Sequence, residues 1–356
     1  MFCKLFRRFA WLRFSLTCRR RGGLTAPAKR VASLVTAGLA TLMAARAAST
    51  QPGEEVIPSP APVTQLSLRE RSREQVTVFC GGKEVAVHHS GEALDKPYIH
   101  PLWTPDGRII TYDSPADHVH HRGLCVGWPD VSGVDFWAEV SSPKGRRGKM
   151  VTEKLLTEVL PGGGARIREL NNWQKGDGTT LLREERTWTF LPPRGNLQVV
   201  DVEIKLTAVA SEVVFGSDPG TPREYHGLTV RMGPFGEPRF FNSRGDVGDE
   251  QCHGKAAEWC ALSGVQSGQP ITAAILDHPS NHPEGRDHPT RFFVLGRGMQ
   301  FISTSPNFGK PKVLRSGETW RLRYGVVAAG APPKGEGWDI ESLWKEWAAR
   351  AAETEG

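Results

Sequence analysis

The stretch Asp113–Trp137, DSPADHVHHRGLCVGWPDVSGVDFW, holds His118, His120, His121 and Arg122, followed by Trp128 and Trp137 with Asp130 and Asp135 beside them. No other window of the chain gathers titratable and flat aromatic groups so densely. Imidazole titrates near neutrality, so it can give or take a proton, or bind a metal, without a costly shift of its pKa. If the stretch is extended, its side chains alternate: His118, His120 and Arg122 project one way, Asp117 and His121 the other. That geometry would set two imidazoles and a guanidinium around one small ligand. His118 and His120, two apart, also match the spacing by which a strand offers two ligands to one metal, although no glutamate follows at short spacing to complete such a set. Indoles beside carboxylates suit a sugar ring, whose C–H face stacks while its hydroxyls bond to acids. Gly133 permits a tight turn that would present Asp135 as the acid, whereas in a sandwich of sheets both tryptophans can equally be core.

Two further histidine sites are candidates. His226 stands in Glu224–Leu228, ahead of a strand containing Arg231, and is read either as a catalytic or as a satisfied structural histidine. His278, His282 and His288 lie in the loop DHPSNHPEGRDHP, which has no continuous apolar face. That loop is either a surface loop stiffened by proline or a lid folding over the first cluster. Familiar alternatives are missing: there is no P-loop, GxGxxG, HExxH or GxSxG, which removes support for phosphate cradles, dinucleotide sites, zincin chemistry and the serine-hydrolase elbow.

The elements that must position these residues read as strands. Gln75–His89 has two β-branched runs about Gly81-Gly82, a hairpin signal. A turn at Pro105–Gly107 leads to an expected strand at Arg108–Tyr112. Val200, Val202, Ile204, Leu206 and Ala208 alternate with polar residues, as do the ends of Thr180–Leu191 and the run from Trp320 to Val326. One-sided alternation belongs to antiparallel sheets, since parallel strands are buried on both faces. In Gly337–Glu353, Ile340, Leu343, Trp344, Trp347 and Ala351 form one helical stripe that would pack on the sheets and close the fold. The expected fold is therefore mainly β, a large antiparallel β-sandwich with a C-terminal amphipathic helix.

Residues 1–47 contain ten basic residues and no acid, then the apolar run Val31–Ala45 and an Ala45-Arg46-Ala47 end, the layout of an export signal. Pro- and Glu-rich residues 48–66 read as a linker, leaving 67–356 as a single β-sandwich domain. The whole chain carries 45 basic and 39 acidic residues; without the leader it is 35 against 39, so the basic balance belongs to the address. A nucleic-acid partner, or an anionic membrane after signal removal, would need a basic patch on the folded domain. Cys80, Cys125, Cys252 and Cys260 show no CxxC spacing; Cys252 and Cys260 could close a short loop or remain as buried thiols.

The motifs YIHPLWTPDG (98–107), DHVHHRGLCVGWPDVSGVDFW (117–137), GKAAEWCALSG (254–264) and DHPSN (277–281) resemble the PmoA-like ("methane oxygenase PmoA") family, secreted or lipid-attached bacterial proteins of unknown function common in planctomycetes. The resemblance covers residues 75–330; Val119 replaces its usual proline and Phe293 a common histidine, which tells against a mechanism needing a histidine there. The label does not give the activity, because a membrane-embedded monooxygenase subunit crosses the bilayer several times and this chain has no later apolar stretch of that length. The sequence character is similar to the galactose mutarotase-like superfamily, in which a sugar lies across a concave sheet.

Three functions are carried forward. The first is an exported carbohydrate-active enzyme, an epimerase, lyase or hydrolase, with His120, His121, Asp135 and His226 as catalytic groups and His100, Arg122, Trp128, Trp137, His278 and Asn281 holding a small sugar or oligosaccharide, no cofactor being required. The second is a non-catalytic sugar-binding protein. The third is a metal-dependent oxidase or oxygenase with a single divalent metal on His118, His120 and a histidine of the 278–288 loop.

Overall fold

A computed structural model describes residues 65–353 apart from 217, 219–223, 283–288, 297 and 334–336. The export signal, all but the end of the linker, and His288 lie outside the described residues. Among the described residues two large sheets carry the fold. The first has nine strands, in the order Leu66–Ser72, Gln75–Cys80, Lys83–His89, Tyr98–Leu102, Leu124–Gly127, Gly227–Arg231, Phe301–Ser303, Arg291–Leu295 and Lys255–Ala256. The second has eight: Gly236–Asn242, Trp259–Gln266, Gln269–Asp277, Thr319–Ala329, Leu197–Ala208, Thr180–Phe190, Ala165–Gln174 and Lys149–Val159. Every named pairing between neighbouring strands is antiparallel, as the alternation implied.

The alternating residues behave as their pattern requires. Val200, Val202, Ile204, Leu206 and Ala208 are buried while the residues between them stay partly or fully open. They meet Val76, Ile99, Leu124 and Val126 of the first sheet in one continuous apolar core. On the far side of the second sheet a smaller cluster forms, where Ile340 and Trp347 of the helix Ile340–Glu353 cover Ala274, Leu276 and Val327. That helix explains why Thr319–Ala329 is alternating at its start and buried on both faces at its end.

One local expectation fails, and one open alternative is resolved. Arg108–Tyr112 makes only isolated bridges, Trp103 with Ile109 and Thr111 with Met232. Cys252 and Cys260 are both buried and stand as free thiols, with Cys80 and Cys125.

The core also holds charge. His88, Glu169, Glu184 and Arg186 are sealed between the sheets, with Arg186 bonded to Glu184 at 2.7 Å and Glu169 accepting from Trp188 Nε1 at 2.8 Å. Burial alone would raise the Glu169 carboxyl, but Arg186 and His88 outweigh it and hold it down at about 2.

Candidate functional site

The strand alternation that fills the core also builds an opposite face. On the adjoining strands Arg291–Leu295 and Phe301–Ser303, Val294 and Ile302 enter the core, so Phe293, Leu295 and Phe301 project outward. An outward aromatic patch must be covered. Two segments cover it: the residues around His118–His121 and the segment from Trp137 to Ser141. Between cover and sheet lies a cavity of about 350 Å³ lined by His118, His120, His121, Trp137, Tyr225, Phe293, Met299 and Phe301 among others. Gly127 lets Trp137 lie down, since a Cβ there would stand 3.0 Å from the indole and 3.0 Å from the Phe136 carbonyl.

The histidine stretch is not extended. Two successive turns, closed by His118 N–H to the Pro115 carbonyl (2.9 Å) and His121 N–H to the His118 carbonyl (3.0 Å), replace alternation with a cluster. All three imidazoles therefore share one side: His118 and His121 stack at 4.7 Å between centroids, and His120 meets His121 edge-on at 4.8 Å. His121 also stacks on Phe301 at 5.1 Å and meets Trp137 at 5.8 Å. Burial pushes His120 down to about 4 and His121 down to about 2, with the neighbouring cations Lys96 and Arg231 adding to the effect. Both rings are neutral at pH 7, and the Nδ1 atoms of His120 and His121 are buried without a hydrogen-bond partner. His118 Nδ1 lies 3.0 Å from Asp117. Tyr225 faces Trp137 at 5.4 Å, its hydroxyl raised by burial and by Asp135.

Arg122 turns the other way. Its guanidinium grips Glu139 (2.8–3.1 Å) and the Ser114 hydroxyl (2.6 Å), and the stronger base that results is committed to structure, not to a ligand. Glu139 is also bound by Lys96 at 2.9 Å, and Lys96 donates to the carbonyls of Trp137 (2.6 Å) and His120 (3.1 Å). One buried ammonium thus ties the two segments that cover the cavity. Burial would raise the Glu139 carboxyl, but Lys96 and Arg122 hold it below its ordinary value. The backbone there has φ of +51°, a conformation that costs a residue with a Cβ on the order of 1–2 kcal/mol and that the two cations fix in place.

The other candidates fall outside the cavity. Gly133 does sit in a turn, but Asp135 is buried with Oδ1 accepting from the backbone of Trp137 (2.8 Å) and Ala138 (3.0 Å), which makes it a loop brace. Trp128 and His226 are core: they stack at 5.6 Å, Trp128 donates to Asn307 Oδ1, and His226 Nε2 accepts from the Asn307 N–H. Burial pushes His226 down to about 3. His100 bonds Thr111 at 3.0 Å and is lowered by its own burial. On the second sheet, His278 bonds Ser280 (2.6 Å) against Trp347, Asn281 bridges Asp277 and the Arg323 backbone, and His282 pairs with Asp277 at 2.5 Å. Those residues brace the strand end beneath the helix and form no lid over the first cluster. His278 and His282 are thus engaged away from His118 and His120, His288 lies outside the described residues, and no group of three or more His, Cys, Asp or Glu among the described residues is placed to hold a metal ion.

A family profile matches residues 75–345, a span that takes in every strand of the two sheets but Leu66–Ser72 and every wall of the cavity. The chain belongs to the DUF6807 family, a family of unknown function. DUF6807 replaces the PmoA-like assignment that the motifs suggested; no PmoA-like profile matches, so the oxygenase label has no support. A search of curated proteins finds no match. Among solved structures, a galactose mutarotase related enzyme from Lactobacillus acidophilus is similar over 76% of this chain and 99% of its own, with 7% identity and a TM-score of 0.30. At that level the likeness assigns no residue a role. No helix among the described residues is long and apolar enough to cross a membrane.

Sequence reasoning missed five residues of this site. Lys96 and Glu139 carry no local motif, and only their long-range pairing reveals them. Phe301 and Met299 look like ordinary strand and turn residues. Tyr225 stood beside the histidine that was chosen, and a signal did exist: in a strand-like run, adjacent residues face opposite ways, so His226 in the core puts Tyr225 outside.

Proposed function

We propose that the protein is exported and binds a carbohydrate in the cavity between the His118–His121 turn and the Phe293–Phe301 strands. One observation carries the reading: neutral imidazoles, an indole and a phenol converge on a space of about 350 Å³, within the range of small-ligand sites. Flat rings offer stacking surface to a sugar's C–H face, and neutral imidazoles both donate and accept towards hydroxyls. Binding is favoured over hydrolysis, because Asp135 and Glu139 are spent on structure and a pair of free carboxylates is what glycoside hydrolysis ordinarily needs. Acid-base turnover by His120 is the second reading, favoured by its neutral ring, but a base lowered to about 4 is weak at pH 7.

Calorimetry against a panel of neutral and acidic mono- and oligosaccharides tests the proposal. A saccharide is expected to bind, and Trp137→Ala, checked for folding, is expected to weaken it by about 2 kcal/mol, roughly thirtyfold. Affinity unchanged in a folded Trp137→Ala protein would place the sugar elsewhere.

A further inference from the structure

Arg231 ends the strand Gly227–Arg231 and is only 3% exposed, yet its Nε and Nη1 make no hydrogen bond. Its Cα partner across the sheet is Phe301, so the two side chains leave the same outward face side by side. Phe301 is a wall of the cavity and stacks with His121, whose ring is pushed down partly by the Arg231 charge. The Tyr112 ring lies 5.9 Å from the guanidinium, and the acid that acts on Arg231 is Asp117, itself mostly in solvent and paired with His118. A guanidinium sealed in this way without a carboxylate against it is costly, and a structural role would be served as well by an apolar side chain. The other arginine of the region, Arg122, is fully matched by Glu139.

We infer that Arg231 is a specificity residue for a carboxylate on the bound sugar, so that the ligand is a uronic-type saccharide in preference to its neutral parent. The inference rests on the carbohydrate reading above. His121 lines the cavity and its ring is acted on by the Arg231 charge, so the guanidinium lies within electrostatic reach of that wall. A carboxylate reaching either Nε or Nη1 supplies a partner to a buried donor that has none, and the guanidinium stays charged at every working pH.

The test is calorimetry on the full chain with galacturonate and glucuronate against galactose and glucose, with acetate alone as a further probe. The uronates are expected to bind at least about tenfold more tightly than their parents. In Arg231→Met that ratio should fall to about one while neutral sugars bind as before, and the unfolding midpoint should hold or rise because a buried unmatched charge has gone. Should Arg231→Met fail to fold, Arg231→Gln reads the same ratio. Neutral sugars that bind while the native ratio stays at one, or a preference that survives in either variant, overturn the inference and leave the carbohydrate reading standing. Acetate binding as tightly as galacturonate overturns the saccharide assignment. No sugar bound at all overturns the reading beneath both.

Discussion

Replacing Lys96 with methionine is expected to cost about 3–5 kcal/mol of stability, the usual penalty for removing one partner of a buried ion pair. Lys96 is 2% exposed and its ammonium serves the Glu139 carboxylate and the carbonyls of Trp137 and His120 at once. Methionine fills the space but leaves two buried carbonyls unmet and Glu139 with Arg122 alone. Because those carbonyls belong to the two cavity covers, sugar affinity should fall with stability. The double variant Lys96→Met, Glu139→Gln should lose less than the sum of the two single changes, since the second removes the charge that the first stranded. Urea unfolding of the three variants measures this. A Lys96→Met protein within 1 kcal/mol of native would mean that the ammonium is not what ties the covers together.

Acid should be the second large effect. His226 is pushed down to about 3, His121 to about 2 and His120 to about 4, with His89 and His100 also lowered, and burial is the first cause in each. A histidine depressed in the folded state leaves stability intact above its unfolded pKa near 6.5, and stability is then lost as the pH falls, because only the unfolded chain takes up the proton. For His226, whose Nε2 must stay unprotonated to accept from Asn307, the loss between pH 6.5 and 4.5 is about 2 kcal/mol. Glu169, held down at about 2, adds to the loss below pH 4.5. Asp201 works in reverse: burial raises it to about 6 against Arg323, so it stabilises as the pH falls through that value, one group against several. Urea midpoints at pH 7.5, 6 and 4.5 should therefore decline, and His226→Gln should shallow the slope. A flat or rising profile would show that these rings are protonated in the folded chain.

Much of the architecture was legible because it depends on period. The Val200–Ala208 alternation, the Gly81-Gly82 hairpin and the Ile340–Trp347 stripe are local patterns, and burial follows them. The site was legible only as a density of residue types. Which way each side chain points depended on two tight turns after Pro115, which an extended reading of the stretch does not contain, and those turns moved Arg122 out of the site and gathered His118, His120 and His121 into it. Partners, most of them distant in sequence, settled the rest. Glu139 claimed Arg122, Asn307 claimed His226 and Trp128, and Asp277 with the Arg323 backbone claimed His282 and Asn281. Only the Asp277 side-chain pairings fall within one segment; the others join residues far apart in the chain, where no local spacing rule reaches.

The most direct test of the central claim is imidazole nitrogen NMR at pH 7, recorded before and after adding the best-binding saccharide. The account predicts that His118, His120 and His121 shift, with His120 and His121 neutral throughout, while His226, His278 and His282 stay where they were. Shifts at His226 or His278 with the three clustered rings unmoved would contradict it.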